Sequence, residues 1–358
     1  MKKALLFLSF CGGAFAAPTP DPARAGQDGP SREVYRGDFD FSVKAAVEKG
    51  LAWLAARQNP NGSWTNRVGY KLYEDYYGEE NESVDVTSVA CMALVSNGHV
   101  PGRGKYGRQV ALGVNWLLSK VRDEDGYITH AGSRMYSHAF ATLFLAEIYG
   151  MTRQPEIRTK LKRAVELIVN SQNREGGWRY QPIPVDADLS VTVSTLQALR
   201  AARNVGLAVP METIRRATNY VTRCATRRGF SYQSVNEYGM NDTRVSYALT
   251  ACGVVSMFSA GHYDSKEIRD AIRMLPIYRQ TVIPGRLHYY YGHYYAAQAM
   301  YLAGGESWAT YYPAVKGEIL KMQFADGHWE DDVGKTYATA MACVVLQMPC
   351  EYLPIFQK

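Results

Sequence analysis

A glycine and aromatic turn recurs along this 358-residue chain at a nearly constant spacing, and this repeat restricts the possible folds more than any other feature. The copies read QNPNGSW (58–64), RDEDGYI (122–128), QNREGGW (172–178), TRRGFSY (226–232), IPGRLHYY (283–290) and QFADGHW (323–329). The spacing is 50 residues from Ile128 to Trp178 and 54 residues from Trp178 to Tyr232. Six units of this size account for nearly all of the chain after residue 40.

Each unit consists of two segments with helical periodicity. The segment before the turn is charged and amphipathic, as in PEIRTKLKRAVELIVNSQ, and the segment after it is nearly free of charge, as in MYSHAFATLFLAEIYG. A helix with a charged stripe faces water, whereas a helix that is apolar all round is buried. The first and last units match the motif well and show no polar capping unit, which an open solenoid would need. We therefore predict an all-α fold, an (α/α)6 barrel or toroid of six helical hairpins over residues 41–358, with an open solenoid as the alternative.

The segment KGLAWLAARQNPNGSW (49–64) resembles the signature of the squalene cyclase and prenyltransferase repeat family. The second half of that signature, Gln-x-x-x-Gly-x-Trp, occurs again at 172–178 and 323–329. The resemblance implies a toroid in which the glutamine closes the end of an outer helix and the tryptophan ties neighbouring hairpins together. Within the family, the chain resembles a secreted member of bacterial type with a single barrel. Function has to be argued from a site, because one fold supports many activities.

Between each turn and the following inner helix the chain should reach the mouth of a central cavity. The acids and histidines there are Asp85, His138, Asp186, Asp188, Asp242, His293, Asp331 and Asp332. Tyrosine accounts for 26 residues, which suggests a lined cavity. The tyrosines expected to line it are Tyr136, Tyr247, Tyr290, Tyr291, Tyr294 and Tyr337.

The stretch DADLS (186–190) carries two interpretations. It resembles the Asp-x-Asp-Asp box with which class II terpene cyclases protonate an alkene, and Leu189 stands where the third acid would be. The resemblance implies Asp188 as the catalytic acid with Asp186 as its partner, and we add Asp242, His138 and His293 as further catalytic candidates. In the alternative, aspartates before inner helices are N-caps that complement the helix dipole, and the histidines are satisfied core residues.

The sequence gives no support for a metal or cofactor. Protein prenyltransferases hold zinc with Asp, Cys and His, and Asp332 and Cys343 have no histidine at the position that this site requires. The segment VGKT (333–336) lacks the glycine and the preceding strand of a phosphate loop. Lysine and arginine are scattered despite a net charge of +6, so we expect no nucleic-acid partner.

The N-terminus reads MKKALLFLSFCGGAFA, which predicts a cleaved signal peptide over residues 1–16 and a secreted or periplasmic location. Residues 17–40 are rich in proline, glycine and charge, and are predicted to form a flexible leader. No other apolar run approaches the roughly 20 residues of a membrane span. The five cysteines beyond the signal peptide are odd in number, which argues against a disulfide framework.

Three classes of function remain open. The first is a toroid that acts on or binds a hydrophobic or amphiphilic, isoprenoid-like ligand in a tyrosine-lined central cavity. If this toroid is an enzyme, we expect a terpene-cyclase-like isomerase, lyase or transferase that uses acid-initiated chemistry. The second is a glycan-active hydrolase or lyase. The third is a non-catalytic toroid that binds a lipid, a peptide or a partner in the cell envelope.

Overall fold

The computed structural model describes residues 37–72, 75–234 and 242–357. The predicted signal peptide and all but the last four residues of the predicted leader lie outside this part of the chain. Within it, each unit contributes an outer and an inner helix. In chain order these are α1 (Phe41–Ala56) and α2 (Val84–Val95), α3 (Gly107–Ser119) and α4 (Met135–Thr152), α5 (Pro155–Asn170) and α6 (Leu189–Asn204), α7 (Met211–Arg223) and α8 (Tyr247–Ser259), α9 (Lys266–Arg279) and α10 (Tyr289–Ala303), and α11 (Gly305–Lys321) and α12 (Lys335–Leu346).

The six inner helices form a closed ring. Each one packs against the next, and the last, α12, packs against both α2 and α1 of the first unit. Inner helices are buried around most of their circumference, as in α2, whereas α9 buries only Ile268, Ala271 and Leu275. The predicted (α/α)6 toroid is therefore confirmed, and the contrast in charge between the two segments of each unit is what separates the layers.

Side chains of the repeated turns donate hydrogen bonds to backbone carbonyls of their own unit and of the next one. Gln172 donates from Nε2 to the carbonyl of Gly176 (2.8 Å) and to that of Thr213 in the next outer helix (2.9 Å). Trp178 donates from its indole to the carbonyl of Ile168 (2.7 Å). The set recurs at Gln58 and Trp64 and at Gln323 and Trp329.

Contacts between the last and first units also hold the ends of the domain together. Gln323 in the last turn donates to the carbonyl of Ala46 in the first outer helix (2.8 Å). The Trp308 indole of α11 donates to Asp38 (2.9 Å), and Lys316 pairs with Asp40 (3.0 Å). Hydrogen bonds from Ser42 and the Val43 amide, with Lys316, hold the pKa of the Asp40 carboxyl well below its usual range. Residues 38 and 40 thus belong to the packed domain.

The two ends of the toroid differ. Because the chain reverses at every connection, all inner helices run in the same direction, and their N-termini surround one end, which we call the mouth. A hairpin that the sequence analysis did not predict, β1 (Thr65–Leu72) and β2 (Asp75–Glu82), lies between the first turn and α2 at this end. A second, very short hairpin joins β3 (Ala225–Thr226) to β4 (Gly229–Phe230). The opposite end carries two short 3-10 helices, Met348–Cys350 and Pro354–Phe356.

Side chains fill the middle of the ring. The Phe140 ring of α4 lies 5.7 Å from the Tyr294 ring of α10, on the opposite side of the toroid. Gln197 of α6 donates to Gln298 of α10 (2.5 Å), and Phe356 packs on Tyr294 from the end opposite the mouth. A ligand on the axis would therefore have to lie on the mouth side of this layer.

Among the helices that the structure describes, none combines the length and the apolar character that crossing a bilayer would require. Cys91, Cys224, Cys252 and Cys343 are free and buried, and Cys350 is partly buried.

Candidate functional site

Asp188 begins α6 and is fully buried. Its backbone is extended, and its Oδ1 accepts hydrogen bonds from the Val191 amide (2.9 Å) and the Ser190 hydroxyl (2.6 Å). This is the geometry of an N-cap, which satisfies amides that the first helical turn leaves without partners. One oxygen of Asp188 is thus used in holding the helix start.

The second oxygen, Oδ2, has no hydrogen-bond partner among the described residues. The closest cation is Arg179, whose Nε lies 4.0 Å away and whose guanidinium also pairs with the exposed carboxylate of Asp186. Burial raises the pKa of Asp188 to about 6, although the hydrogen bonds from Ser190 and Val191 act in the opposite direction. A carboxyl group with this pKa can give or take a proton near neutral pH.

Tyrosines surround this acid on the mouth side. Tyr136 donates to the hydroxyl of Ser190, which itself donates to Asp188, so a hydrogen-bond chain runs from a partly exposed phenol to the buried carboxyl. Tyr291 donates to the Ser190 carbonyl (3.1 Å), and its ring meets the Tyr136 ring edge-on at 6.3 Å. We call Asp188, Ser190, Tyr136 and Tyr291 the mouth cluster.

Asp242 lies near the mouth but does not begin a helix. It pairs with Arg244 (3.2 Å), and Ser246 caps α8 instead, through a hydrogen bond from the Leu249 amide (3.2 Å). Ser83 likewise caps α2, and Asp85 sits in the first turn, where it accepts from Ser83. Capping by Asp242 and Asp85 is therefore wrong, because in both units a serine occupies the position directly before the helix.

The two histidines point away from the ring axis. His138 accepts from the Ile128 amide (3.0 Å) and contacts the Ala164 carbonyl in α5 (3.0 Å), so both ring nitrogens have backbone partners. Burial lowers the pKa of His138 to about 4. Neither this ring nor that of His293 is brought to Asp188, and the geometry of His138 is that of a satisfied core histidine.

His293 occupies the equivalent position in α10. Its Nδ1 lies 3.0 Å from the Tyr247 hydroxyl and 2.9 Å from the Tyr311 hydroxyl of the outer helix α11. Burial lowers the pKa of His293 to about 3, so the ring is neutral near pH 7. Tyr247, expected to line a cavity, is instead buried beside this histidine.

The remaining predicted tyrosines divide into two groups. Tyr290 and Tyr294 have no exposed surface, and the structure does not place them on a cavity wall. Tyr294 belongs to the packed layer that fills the ring. Tyr136, Tyr291 and Tyr337 keep partial exposure at the mouth. Tyr294 lies deep along its inner helix, whereas Tyr290 is buried although it lies in the first turn of α10, as Tyr136 and Tyr337 do in their helices.

Asp331 is a second buried acid, and the sequence analysis did not select it from the eight candidates. Its Oδ1 accepts from the amides of Val333 (2.9 Å) and Gly334 (3.1 Å), and its Oδ2 lacks a partner in the described ranges. Burial raises the pKa of Asp331 to about 7. The negative charge of Asp331 also raises the pKa of Tyr337, after the larger effect of burial. The signal available in the sequence was an acid two residues after a turn tryptophan.

Across residues 37–72, 75–234 and 242–357, no three His, Cys, Asp or Glu side chains converge in a way that could hold a metal ion.

Comparisons with known proteins support the fold. No protein-family profile matches the chain. Lanosterol synthase erg7A from Aspergillus fumigatus is 26% identical over 161 residues, which is 42% of this chain and 18% of that protein. The match therefore spans less than a fifth of that relative's length.

Several solved structures resemble most of the chain at low identity. The type II terpene cyclase MstE from Scytonema superposes with a TM-score of 0.57 at 12% identity, covering 88% of this chain and 99% of its own. An inactive variant of an α-1,6-mannanase from Salegentibacter, in complex with α-1,6-mannotriose, superposes with a TM-score of 0.62 at 9% identity. The match covers 87% of this chain and 99% of the mannanase chain. Cellobiose 2-epimerase from Bacillus thermoamylovorans superposes with a TM-score of 0.59 at 13% identity, and the match covers 88% of this chain and 98% of the epimerase chain. At these identities the likeness shows the fold alone: the chain has the α/α toroid fold found in type II terpene cyclases.

Proposed function

We propose that this protein binds a hydrophobic or amphiphilic, isoprenoid-like ligand at the mouth of the toroid, and that Asp188 exchanges a proton with it. The observation that carries the proposal is the state of Asp188: a fully buried carboxyl next to tyrosines, with one oxygen fixed by the helix start and the other without a hydrogen bond among the described residues. Structural likeness to MstE, which was solved with geranylgeranyl dihydroxybenzoate, supports the ligand class.

The mouth cluster suits acid-initiated chemistry. Protonated Asp188 would donate from Oδ2 to an acceptor atom of the ligand and become a carboxylate, which the hydrogen bonds from Ser190 and Val191 to Oδ1 would stabilise. A proton released by the ligand, or taken from water, would restore the acid at Oδ2. The faces of Tyr136 and Tyr291 would stabilise positive charge that forms on the ligand. The phenols also suit an amphiphilic ligand better than a pure hydrocarbon, because they present hydroxyl groups.

The proposed binding position differs from the central cavity that the sequence suggested. Since Phe140 and Tyr294 meet across the ring, the ligand would rest on this layer with the mouth tyrosines around it. We also propose, from residues 1–16, that the protein acts outside the cytoplasm, where a partner in the envelope could deliver the ligand.

Substitution of Asp188 tests the proposal. The protein is incubated with 10,11-epoxyfarnesol, and products are followed by mass spectrometry. We expect wild type to form a cyclised diol, in which the epoxide oxygen has become a hydroxyl by taking the proton of Asp188. Turnover should fall by at least about 100-fold in Asp188→Asn, a typical general-acid contribution. Asparagine keeps an oxygen that can accept from the Val191 amide, so the helix start should survive.

Asp123→Asn is the matched control, because its side chain is 85% exposed on the surface. Unchanged turnover in Asp188→Asn would overturn the acid role. Binding of epoxyfarnesol without turnover in wild type would favour the non-catalytic toroid, and absence of binding would overturn the ligand class.

Asp331 favours one second candidate, a glycan-active enzyme. Glycoside hydrolysis commonly uses two carboxyl groups, one of them with a raised pKa, and the mouth has two such buried acids. Cleavage of α-1,6-mannotriose by wild type, with loss in both Asp188→Asn and Asp331→Asn, would support this candidate over the first.

A further inference from the structure

Arginine and tyrosine side chains alternate along one side of the mouth, from the β1–β2 hairpin to the segment before α8. The guanidinium carbon of Arg134 lies 5.8 Å from the Tyr70 ring centre and 5.9 Å from that of Tyr180. Arg179 follows, 5.3 Å from Tyr180 and 5.9 Å from Tyr232, and Arg244 lies 4.6 Å from Tyr232. The hydroxyls of Tyr180 and Tyr232 are 2.5 Å apart.

The three arginines of this row differ in their ion pairs. Arg179 is paired with Asp186, and Arg244 with Asp242. Arg134 has no ion pair in the part of the chain that the structure describes, and its recorded contacts are with aromatic rings. A partly buried guanidinium with five donors and no acceptor beside it is a ready partner for an anion.

The surroundings of Arg134 add to its preference for negative charge. It is the residue directly before α4, and its side chain does not cap that helix, so the positive end of the helix dipole lies next to the guanidinium. Tyr70 on one side is 50% exposed, so an incoming ligand can reach Arg134 from the hairpin side.

The charge balance limits how much negative charge the position can accept. Of the three arginines in the row, Arg179 and Arg244 already pair with Asp186 and Asp242, so among the described residues of the row only Arg134 is left for an anion. A diphosphate would place several negative charges near the unpartnered oxygen of Asp188 and would be repelled. A single carboxylate matches both the charge and the planar, two-pronged geometry of one guanidinium.

We infer that Arg134 binds the carboxylate of an amphiphilic ligand whose apolar chain lies over the mouth cluster. The inference rests on the proposed function and narrows its ligand to a long-chain carboxylic acid, such as a terpenoid or fatty acid. The head group is held between Tyr70 and Tyr180, and the chain extends over Tyr136 and Tyr291 toward Asp188.

Three probes with one chain and different head groups test this assignment: farnesoic acid, farnesol and farnesyl diphosphate, each titrated calorimetrically. We expect wild type to bind farnesoic acid about tenfold more tightly than farnesol, and farnesyl diphosphate no more tightly than the acid. Rising salt should weaken binding of the acid and leave farnesol unaffected. Arg134→Gln should bind acid and alcohol equally, with farnesol affinity unchanged, and Arg134→Lys should keep part of the preference.

Arg158→Gln, at an exposed position on α5, is the control and should bind all three probes like wild type. Three results would overturn the inference: equal affinity of wild type for acid and alcohol, tighter binding of the diphosphate than of the acid, or a preference for the acid that survives in Arg134→Gln. In each case, binding of farnesol would still uphold the proposed function. Binding of no probe would overturn the proposed function and the inference with it.

Discussion

At the scale of single residues, buried carboxyl groups set the response of this protein to pH. Burial is the largest cause of a raised pKa in Asp188 (about 6), Asp331 (about 7) and Glu147 (about 8). In the unfolded chain these groups ionise near pH 4. Between the two values the folded protein binds protons that the unfolded chain has released, so stability falls as pH rises through this range.

Glu147 is the most suitable residue for testing this dependence of stability on pH, because it lies on α4 outside the mouth cluster. It is 2% exposed, and its Oε2 accepts from the Ile355 amide (3.4 Å). Its contribution is fully present below its unfolded pKa of about 4.5 and is lost by about pH 8. We expect the free energy of unfolding of wild type to drop by a few kcal/mol more than that of Glu147→Gln, measured by urea denaturation at pH 5 and pH 8.5.

Glu156→Gln, exposed in the first turn of α5, serves as its control and should reproduce the wild-type difference between the two pH values. If Glu147→Gln lost as much stability as wild type over this range, Glu147 would not be the protonated group.

At the scale of elements, the turn glycines determine how closely two outer helices approach. Gly176 has a φ of +101°, and a Cβ atom there would lie 2.2 Å from the Arg216 carbonyl oxygen of α7. Gly206 has a φ of +87° with nothing within 4 Å of such an atom. We expect Gly206→Ala to cost about 1 kcal/mol, from the left-handed backbone alone, and Gly176→Ala roughly 3 kcal/mol or more, because α7 must also move.

Chemical denaturation of both variants measures this difference in stability. Equal losses of unfolding free energy in the two variants would mean that the turn adapts without moving α7. The same comparison can be made at Gly327, where a Cβ atom would lie 2.7 Å from the Lys49 carbonyl oxygen and would disturb the contact between the last unit and the first.

The sequence predicted the helices well because the charge of each segment fixes which layer it joins. Helix starts were harder: Ser246 and not Asp242 caps α8, since a cap is defined by the last non-helical residue and several polar residues compete for it. The β1–β2 hairpin was missed because its residues read as a charged loop, and the pairing of Tyr70 with Tyr77 that defines the register needs the folded backbone.

The candidate site was predictable only in part. Asp188 followed from a local pattern, but its raised pKa is caused by burial, and Arg179, whose charge acts in the opposite direction, is brought near by the fold. The pattern contains neither effect. The orientations of His138 and His293 depend on contacts with outer helices. The sequence does not predict these orientations, because a segment that is nearly uncharged all round does not show which side of the helix faces the axis. Likewise, the contact of Phe140 with Tyr294 joins residues 154 positions apart, so no spacing in the sequence reveals it.

At the scale of the whole molecule, the C-terminal segment closes the end of the toroid opposite the mouth. The chain after α12 folds back over the C-terminal ends of the inner helices, where Leu353, Ile355 and Phe356 are buried. Arg200 of α6 donates to the Gln357 carbonyl (3.3 Å), which ties this segment to the ring. Phe356 of this segment packs on Tyr294, so the segment lies directly against the aromatic layer on which the proposed ligand would rest.

Phe356→Ala tests whether the C-terminal segment supports the ring. Phe356 is 3% exposed, and its ring centre lies 6.2 Å from that of Tyr294. Removing a buried phenylalanine leaves a cavity and costs about 3 to 5 kcal/mol, which thermal or chemical denaturation would detect. Phe41→Ala removes the same side chain where it is 85% exposed and should change stability by no more than about 0.5 kcal/mol. Similar small losses in both variants would show that the inner helices hold Tyr294 in place without the C-terminal segment, and the mouth would then be independent of the closed end.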